Sequence, residues 1–207
     1  MSETTFDTMT AERPRDDGSL PDGRRLRAER SRKCIVDALI TLIRNREIMP
    51  SAERVSEEAK VGLRTVFRHF EDMDSLYQEV GDQIDAQIQP IMRRPFIASD
   101  WQGRIIEMID RRAEAFEWVM PFKVQANARL LQSEYLKAKH RCAVDADIER
   151  LCAILPPEVK RDETLFDAFL TVLSFDVWYR LRQDQGRTVE QAKAAVRRLV
   201  DGLLATI

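Results

Sequence analysis

Thr65-Val66-Phe67-Arg68-His69-Phe70, followed by Glu71-Asp72-Met73-Asp74-Ser75-Leu76, decides the fold class of this 207-residue chain. The stretch reads as a short helix with one apolar edge and one basic edge, which re-enters a longer helix. With Leu63 set at zero, a helical step of about 100° per residue puts Val66 and Phe70 at about 300° and about 340°, on one edge. Arg64, Thr65 and Arg68 fall at about 100°, about 200° and about 140°, on the opposite side.

Upstream, Val55 and Ala59 supply a matching small apolar edge on a preceding helix, and Ser51 stands before that helix as its N-cap. Between the two helices Lys60-Val61-Gly62 makes a tight joint. Val61 plugs it, and Gly62 is free to take φ > 0. Two short helices, a tight turn and a basic outward face predict a helix-turn-helix. Many proteins use such a basic helix to place side chains in the DNA major groove.

The block from Arg32 to Val80 resembles the N-terminal domain of tetracycline-repressor-like (TetR family) transcription regulators. The residues that carry the resemblance are Ile35, Ala38 and Leu42, then Ser51, Val55, Ala59 and Val61. The strongest match is Thr65 through Phe70, with Leu76 beyond it. Departures from the family pattern are Lys60 where glycine is usual, Gly62 where a serine N-cap is usual, Phe67 for tyrosine and Met73 for lysine. The last two remove a hydroxyl and a cation suited to phosphate.

The resemblance implies an all-α homodimer. Residues 24–71 would form a three-helix, helix-turn-helix domain that binds a palindromic double-stranded DNA operator. Residues 72–207 would form a helical domain for a small-molecule effector and for dimerisation. The implied DNA-binding set is Ser51, Arg64, Thr65, Phe67, Arg68 and His69. The forked guanidiniums of Arg64 and Arg68 suit guanine O6 and N7, each worth about 1–3 kcal/mol of discrimination. The alternative for both is a solvated charge touching only phosphate. For His69, backbone contact to DNA and packing against the next helix stand equal.

Composition narrows the class. The chain is 44% apolar and 33% charged, and only 7 Gly and 8 Pro argue against an all-β fold. No apolar run approaches the roughly 18–20 residues of a membrane span, and the acidic, polar N-terminus does not read as a secretory signal. The expected location is cytoplasmic, with no membrane partner. Net charge is −2, but residues 24–70 carry 12 basic and 6 acidic side chains, whereas residues 1–23 and 71–207 are each net −4. Positive charge is concentrated where phosphate contacts require it. Cys34, Cys142 and Cys152 have no metal-ligand spacing and are expected as buried or half-buried thiols.

Residues 1–23 read as a disordered tail. Arg24-Arg25-Leu26-Arg27 opens a basic arm, either a solvated helix start or a DNA contact, before a first helix ending near Arg44. Asp72 caps a fourth helix running to about Gln89, closed by Pro90 and Pro95, whose Leu76, Val80, Ile84 and Ile88 would link the domains. A fifth helix spans Asp100 to Met120 and is broken by Pro121. A further helix or kinked pair runs from Phe122 to Leu155. One helix is expected over Asp162 to about Gln183, apolar on so much of its circumference that it must bury two sides. Gly186 ends it, and Thr188 with Gln191 forms a capping box for the last helix.

The last two helices suggest a four-helix dimer interface of Phe166, Phe169, Leu173, Val196, Leu199 and Leu203, unless both sides are filled within one subunit. Met108, Phe116, Trp118, Phe122, Asn127, Tyr135 and Trp178 are the candidate effector-binding residues, with ordinary core as the alternative for each. Gln125, Arg129 and His140 are further polar candidates. The chain lacks a glycine-rich phosphate loop, a nucleophile elbow and a metal-ligand cluster, and its only histidines are His69 and His140. No catalytic residue, metal or cofactor is therefore expected. The function expected is a sequence-specific DNA-binding transcriptional regulator, a dimeric repressor released by its ligand. The alternative is a helix-turn-helix protein acting through a protein partner, or on DNA architecture without small-molecule control.

Overall fold

Amphipathic spacing and well-chosen caps make this an all-α protein. The computed structural model describes residues 23–207, which form α1 (Gly23–Arg44), α2 (Ala52–Glu58), α3 (Leu63–His69), α4 (Met73–Met92), α5 (Trp101–Arg129), α6 (Glu134–Ile154), α7 (Pro157–Arg161), α8 (Glu163–Val172), α9 (Phe175–Tyr179) and α10 (Val189–Leu204). A π-helical turn, Arg180–Asp184, follows α9, and Gly186 beyond it adopts φ 62°. The tail expected over residues 1–23 lies outside the described residues, except for Gly23. Arg24 to Arg27 form the first turns of α1 instead of a separate arm. The buried face of that helix begins only at Ile35.

Two apolar cores organise the chain. The N-terminal core gathers Ile35, Leu39 and Leu42 of α1, Val55 of α2, Val66 of α3 and the first turns of α4 through Leu76, Tyr77 and Val80. Phe122 of α5 reaches into it from the other half of the molecule. The C-terminal core gathers Ile105, Met108, Leu151, Phe169, Trp178 and Val196. Among the described residues no helix is long and apolar enough to cross a membrane.

Local rules were overruled in four places. The left-handed residue between α2 and α3 is Lys60, at φ 54°, whereas Gly62 sits at φ −70° as the extended N-cap of α3. Pro90 does not end α4, which continues to Met92. Arg111 finishes that end by donating to the Met92 and Pro95 carbonyls at 3.3 Å each, its guanidinium 4.0 Å from the Phe96 ring centroid.

Pro121 does not break α5 either. Its neighbours Met120 and Phe122 are buried in the two different cores, and burial on both sides outweighs the penalty of about 3 kcal/mol for an interior proline. The chain from Phe122 to Leu155 accordingly divides at Leu130–Ser133, where Ser133 caps α6. The helix expected over Asp162–Gln183 is interrupted after Val172. There Ser174 caps α9, and the freed Leu173 carbonyl accepts from the buried Arg112 at 2.7 Å. Cys34, Cys142 and Cys152 are exposed free thiols, correcting the expected burial.

Candidate functional site

Two places on this scaffold combine chemistry with access: the outward face of α3 and a cavity between α4, α5 and α6. On α3, Val66 is buried and Phe70 leaves the helix as its extended C-cap to fill the N-terminal core. The opposite face presents Arg64, Phe67 and Arg68 to solvent, with Thr65 half-buried at its edge. Neither arginine has an ion pair among the described residues. Arg54 of α2 differs, lying 2.8 Å from Glu47, 3.4 Å from Glu58 and 3.8 Å from Glu57. Ser51 is exposed and caps α2, accepting from the Arg54 amide at 3.3 Å.

His69 belongs with the packing of α1 against α3. Its Nε2 is shut off without a hydrogen-bond partner, and its carbonyl accepts from Arg32 at 2.8 Å. Arg32 also grips Glu79 of α4 at 2.7 Å and lies 4.3 Å from the Phe70 ring centroid. Burial lowers the His69 pKa, and the charges of Arg68 and Arg32 lower it further.

The cavity has a volume of about 430 Å³. Of the seven expected effector residues, Phe116, Phe122, Asn127 and Tyr135 line it. Met108 is buried in the C-terminal core. Trp118 turns toward α1, stacked on Phe122 at 5.6 Å with Arg44 over it at 5.7 Å. Trp178 is buried and donates its indole N–H to Glu117 at 2.9 Å. These three are therefore structural here.

Of the further polar candidates, only His140 lines the cavity. Gln125 ties α5 to the α1–α2 loop, accepting from the Met49 amide and donating to the Glu47 carbonyl, both at 2.8 Å. Arg129 pairs with Asp74 at 2.9 Å and stacks 4.5 Å from the Tyr77 ring centroid.

The cavity wall is apolar along Ile84, Ile88, Phe116 and Val119, and polar where Lys123, Tyr135, Lys139 and His140 meet it. Lys139 is paired with Asp85. Asp147 is held by Arg112 at 3.0 Å and Arg150 at 3.1 Å. Among the described residues Lys123 has no carboxylate partner; its ammonium lies 3.4 Å from His140 Nδ1 and 6.0 Å from the Phe175 ring centroid. Burial lowers the Lys123 pKa, with Asp176 and Asp147 working against that shift. The Tyr135 hydroxyl is buried without a partner, and burial raises its pKa. It fits because position 81 is glycine: a Cβ there would lie 2.6 Å from the hydroxyl oxygen.

Sequence reasoning passed over Lys123, Lys139 and Gly81. Lys123 follows Pro121, where a helix break was expected, so its face stayed unassigned. The signal available was continuity of the 100° step across that proline.

Of the expected dimer residues, Phe169, Leu173 and Val196 are covered within the chain itself, at 0%, 3% and 4% exposure. This corrects their assignment, because the C-terminal core already fills the side they occupy. Phe166 and Leu203 are half-buried, and Leu199 is 52% exposed. Comparison of the chain with protein-family models, with curated proteins and with solved structures finds no match.

Proposed function

We propose that this protein is a sequence-specific DNA-binding regulator that acts as a homodimer and is released from its operator by a small molecule. The observation that carries the reading is the pair Arg64 and Arg68, exposed and without ion pairs among the described residues, on a helix whose other side is locked into the core by Val66. Arg64, Thr65, Phe67 and Arg68 form the DNA-facing set. Lys60 at the turn adds a cation, and Ser51 lies close in sequence at the start of α2. His69 supports α3 from behind. The still accessible Phe166, Leu199 and Leu203 are the surface a second copy would cover.

The cavity favours small-molecule control over a purely architectural role. Tyr77 and Val80 of α4 line it while packing in the N-terminal core. Asp74, in the first turn of α4, is held by Arg129 and by Ser133 at 2.8 Å. A ligand that favours a different placement of α4 would change the spacing of the two α3 helices, and its differential affinity would set how far operator occupancy falls.

Selection from random duplexes with the purified protein tests the reading. Palindromes with guanines in each half-site, centred about 34–36 Å apart, are expected. Arg68→Ala should weaken the selected duplex about tenfold to a hundredfold, the equivalent of about 1–3 kcal/mol, with Tm unchanged. No enrichment even at low salt would end the proposal. An Arg68→Ala protein that loses Tm along with affinity would make the residue structural.

A further inference from the structure

We propose that the cavity takes an organic anion: an apolar body against Ile84, Ile88, Phe116 and Val119, and a carboxylate or similar group meeting Lys123 beside His140. The inference deepens the ligand-controlled reading and rests on it. Its basis is the charge balance of the wall. Five lining side chains are acidic or basic: Asp85, Lys123, Lys139, Asp147 and Arg150. Asp85 is taken by Lys139, and Asp147 is shared between Arg150 and the buried Arg112. Lys123 is left over. Among the described residues no carboxylate lies within ion-pair distance of it, and Asp176 and Asp147 attract it only from farther away.

A half-buried ammonium without an anion is costly, and an incoming anion with a charge-assisted hydrogen bond relieves that cost. Lysine has no lone pair when charged, so in that state Nδ1 of His140 accepts in their contact. Lys123 keeps two N–H donors for a ligand. The partnerless Tyr135 hydroxyl adds a polar group elsewhere on the same wall. A cationic ligand would have to displace Lys139 from Asp85, or the arginines from Asp147. A neutral apolar ligand would bury Lys123 further without neutralising it. The cavity volume lies within the range of about 300–1,000 Å³ usual for small-molecule sites.

Titration calorimetry of the full chain with decanoate, decanol and decylamine, three probes sharing one alkyl chain, decides the matter. Decanoate should bind at least about tenfold tighter than decanol, and decylamine no tighter than decanol. Lys123→Met, similar in length and uncharged, should abolish the decanoate advantage, with decanol binding no weaker than to the parent because the buried charge is gone. Equal binding of decanoate and decanol, decylamine as the tightest probe, an advantage that survives Lys123→Met, or no binding of any probe would each overturn the inference. If Lys123→Met does not fold, the ranking on the unaltered protein decides alone. Operator selection is scored separately. DNA binding without the decanoate preference ends this inference only. The preference without DNA binding ends the regulator reading and leaves the anion site standing.

Discussion

Replacing Gln125 with methionine tests how the two halves of the molecule are joined. Gln125 is 2% exposed and makes two hydrogen bonds of 2.8 Å to the backbone of the α1–α2 loop, at Met49 N–H and Glu47 C=O. That loop contains two left-handed non-glycine residues, Arg46 at φ 64° and Met49 at φ 53°. Such residues cost roughly 1–2 kcal/mol each, so outside contacts must offset a conformation the loop does not favour. Gln125→Met keeps the side chain's length and deletes both bonds.

Two net hydrogen bonds at about 0.5–1.5 kcal/mol each, plus partial loss of solvation for the stranded backbone groups, give about 2–3 kcal/mol of destabilisation. With a urea dependence of about 1–3 kcal/mol per molar, the unfolding midpoint should fall by about 1 M. The Met49 amide should also lose protection from hydrogen exchange. A midpoint within about 0.3 M of the parent, at unchanged slope, would refute the clamp.

Two further outcomes follow from other sites. Lys60 at φ 54° carries the left-handed penalty of roughly 1–2 kcal/mol, and a glycine there gives back about 0.5–1 kcal/mol to the freer unfolded chain. Lys60→Gly should therefore raise Tm by about 2–4 °C, and a lower Tm would sink the strain argument. Glu117 accepts from Arg182 at 2.7 and 2.9 Å and from Trp178 at 2.9 Å, and the Arg182 bonds chiefly hold its carboxyl below the ordinary 4.5. Because the folded value is depressed, this contribution to stability is fully present above pH 4.5 and is lost as pH falls through the folded value. Glu117→Gln should flatten the fall of Tm below pH 4.5, and parallel curves for the two proteins would discard this assignment.

What was readable in the sequence was what neighbours along the chain determine. The burial of Val66 opposite Arg64 and Arg68 follows from the helical step, although Phe70 reaches the core as an extended C-cap. The Thr188–Gln191 capping box follows from residues three apart; that box is present, with bonds of 3.0 and 3.2 Å. What failed depended on distant contacts. Pro121 was expected to stop a helix, but two cores hold the helix on either side of it. The break at Ser174 depends on Arg112, 61 residues away from the carbonyl it binds. The apolar stripe of Phe169, Leu173 and Val196 was legible as a stripe. Which surface would cover it was not, because an intrachain neighbour and a second copy demand the same side chains. The cavity was half legible for a related reason: aromatic residues announce burial, whereas enclosure depends on Gly81 leaving room for Tyr135.

The position of Lys123 bears on control as well as on affinity. Its neighbour Phe122 lines the cavity, packs in the N-terminal core and stacks on Trp118, with Arg44 of α1 lying 5.9 Å from its ring centroid. Tyr77 has the same dual membership from α4. Under the proposed function, an anion drawn to Lys123 therefore presses on two side chains whose other contacts belong to the core behind α3. No long relay is needed, because the cavity wall and the N-terminal core share the side chains of Phe122 and Tyr77. A coupling of about 1–3 kcal/mol, typical between linked sites, would require only that Phe122 and Tyr77 pack differently with and without ligand. Phe122→Leu should then weaken the ligand's effect on DNA affinity more than it weakens ligand binding. Equal losses in both would place the coupling elsewhere.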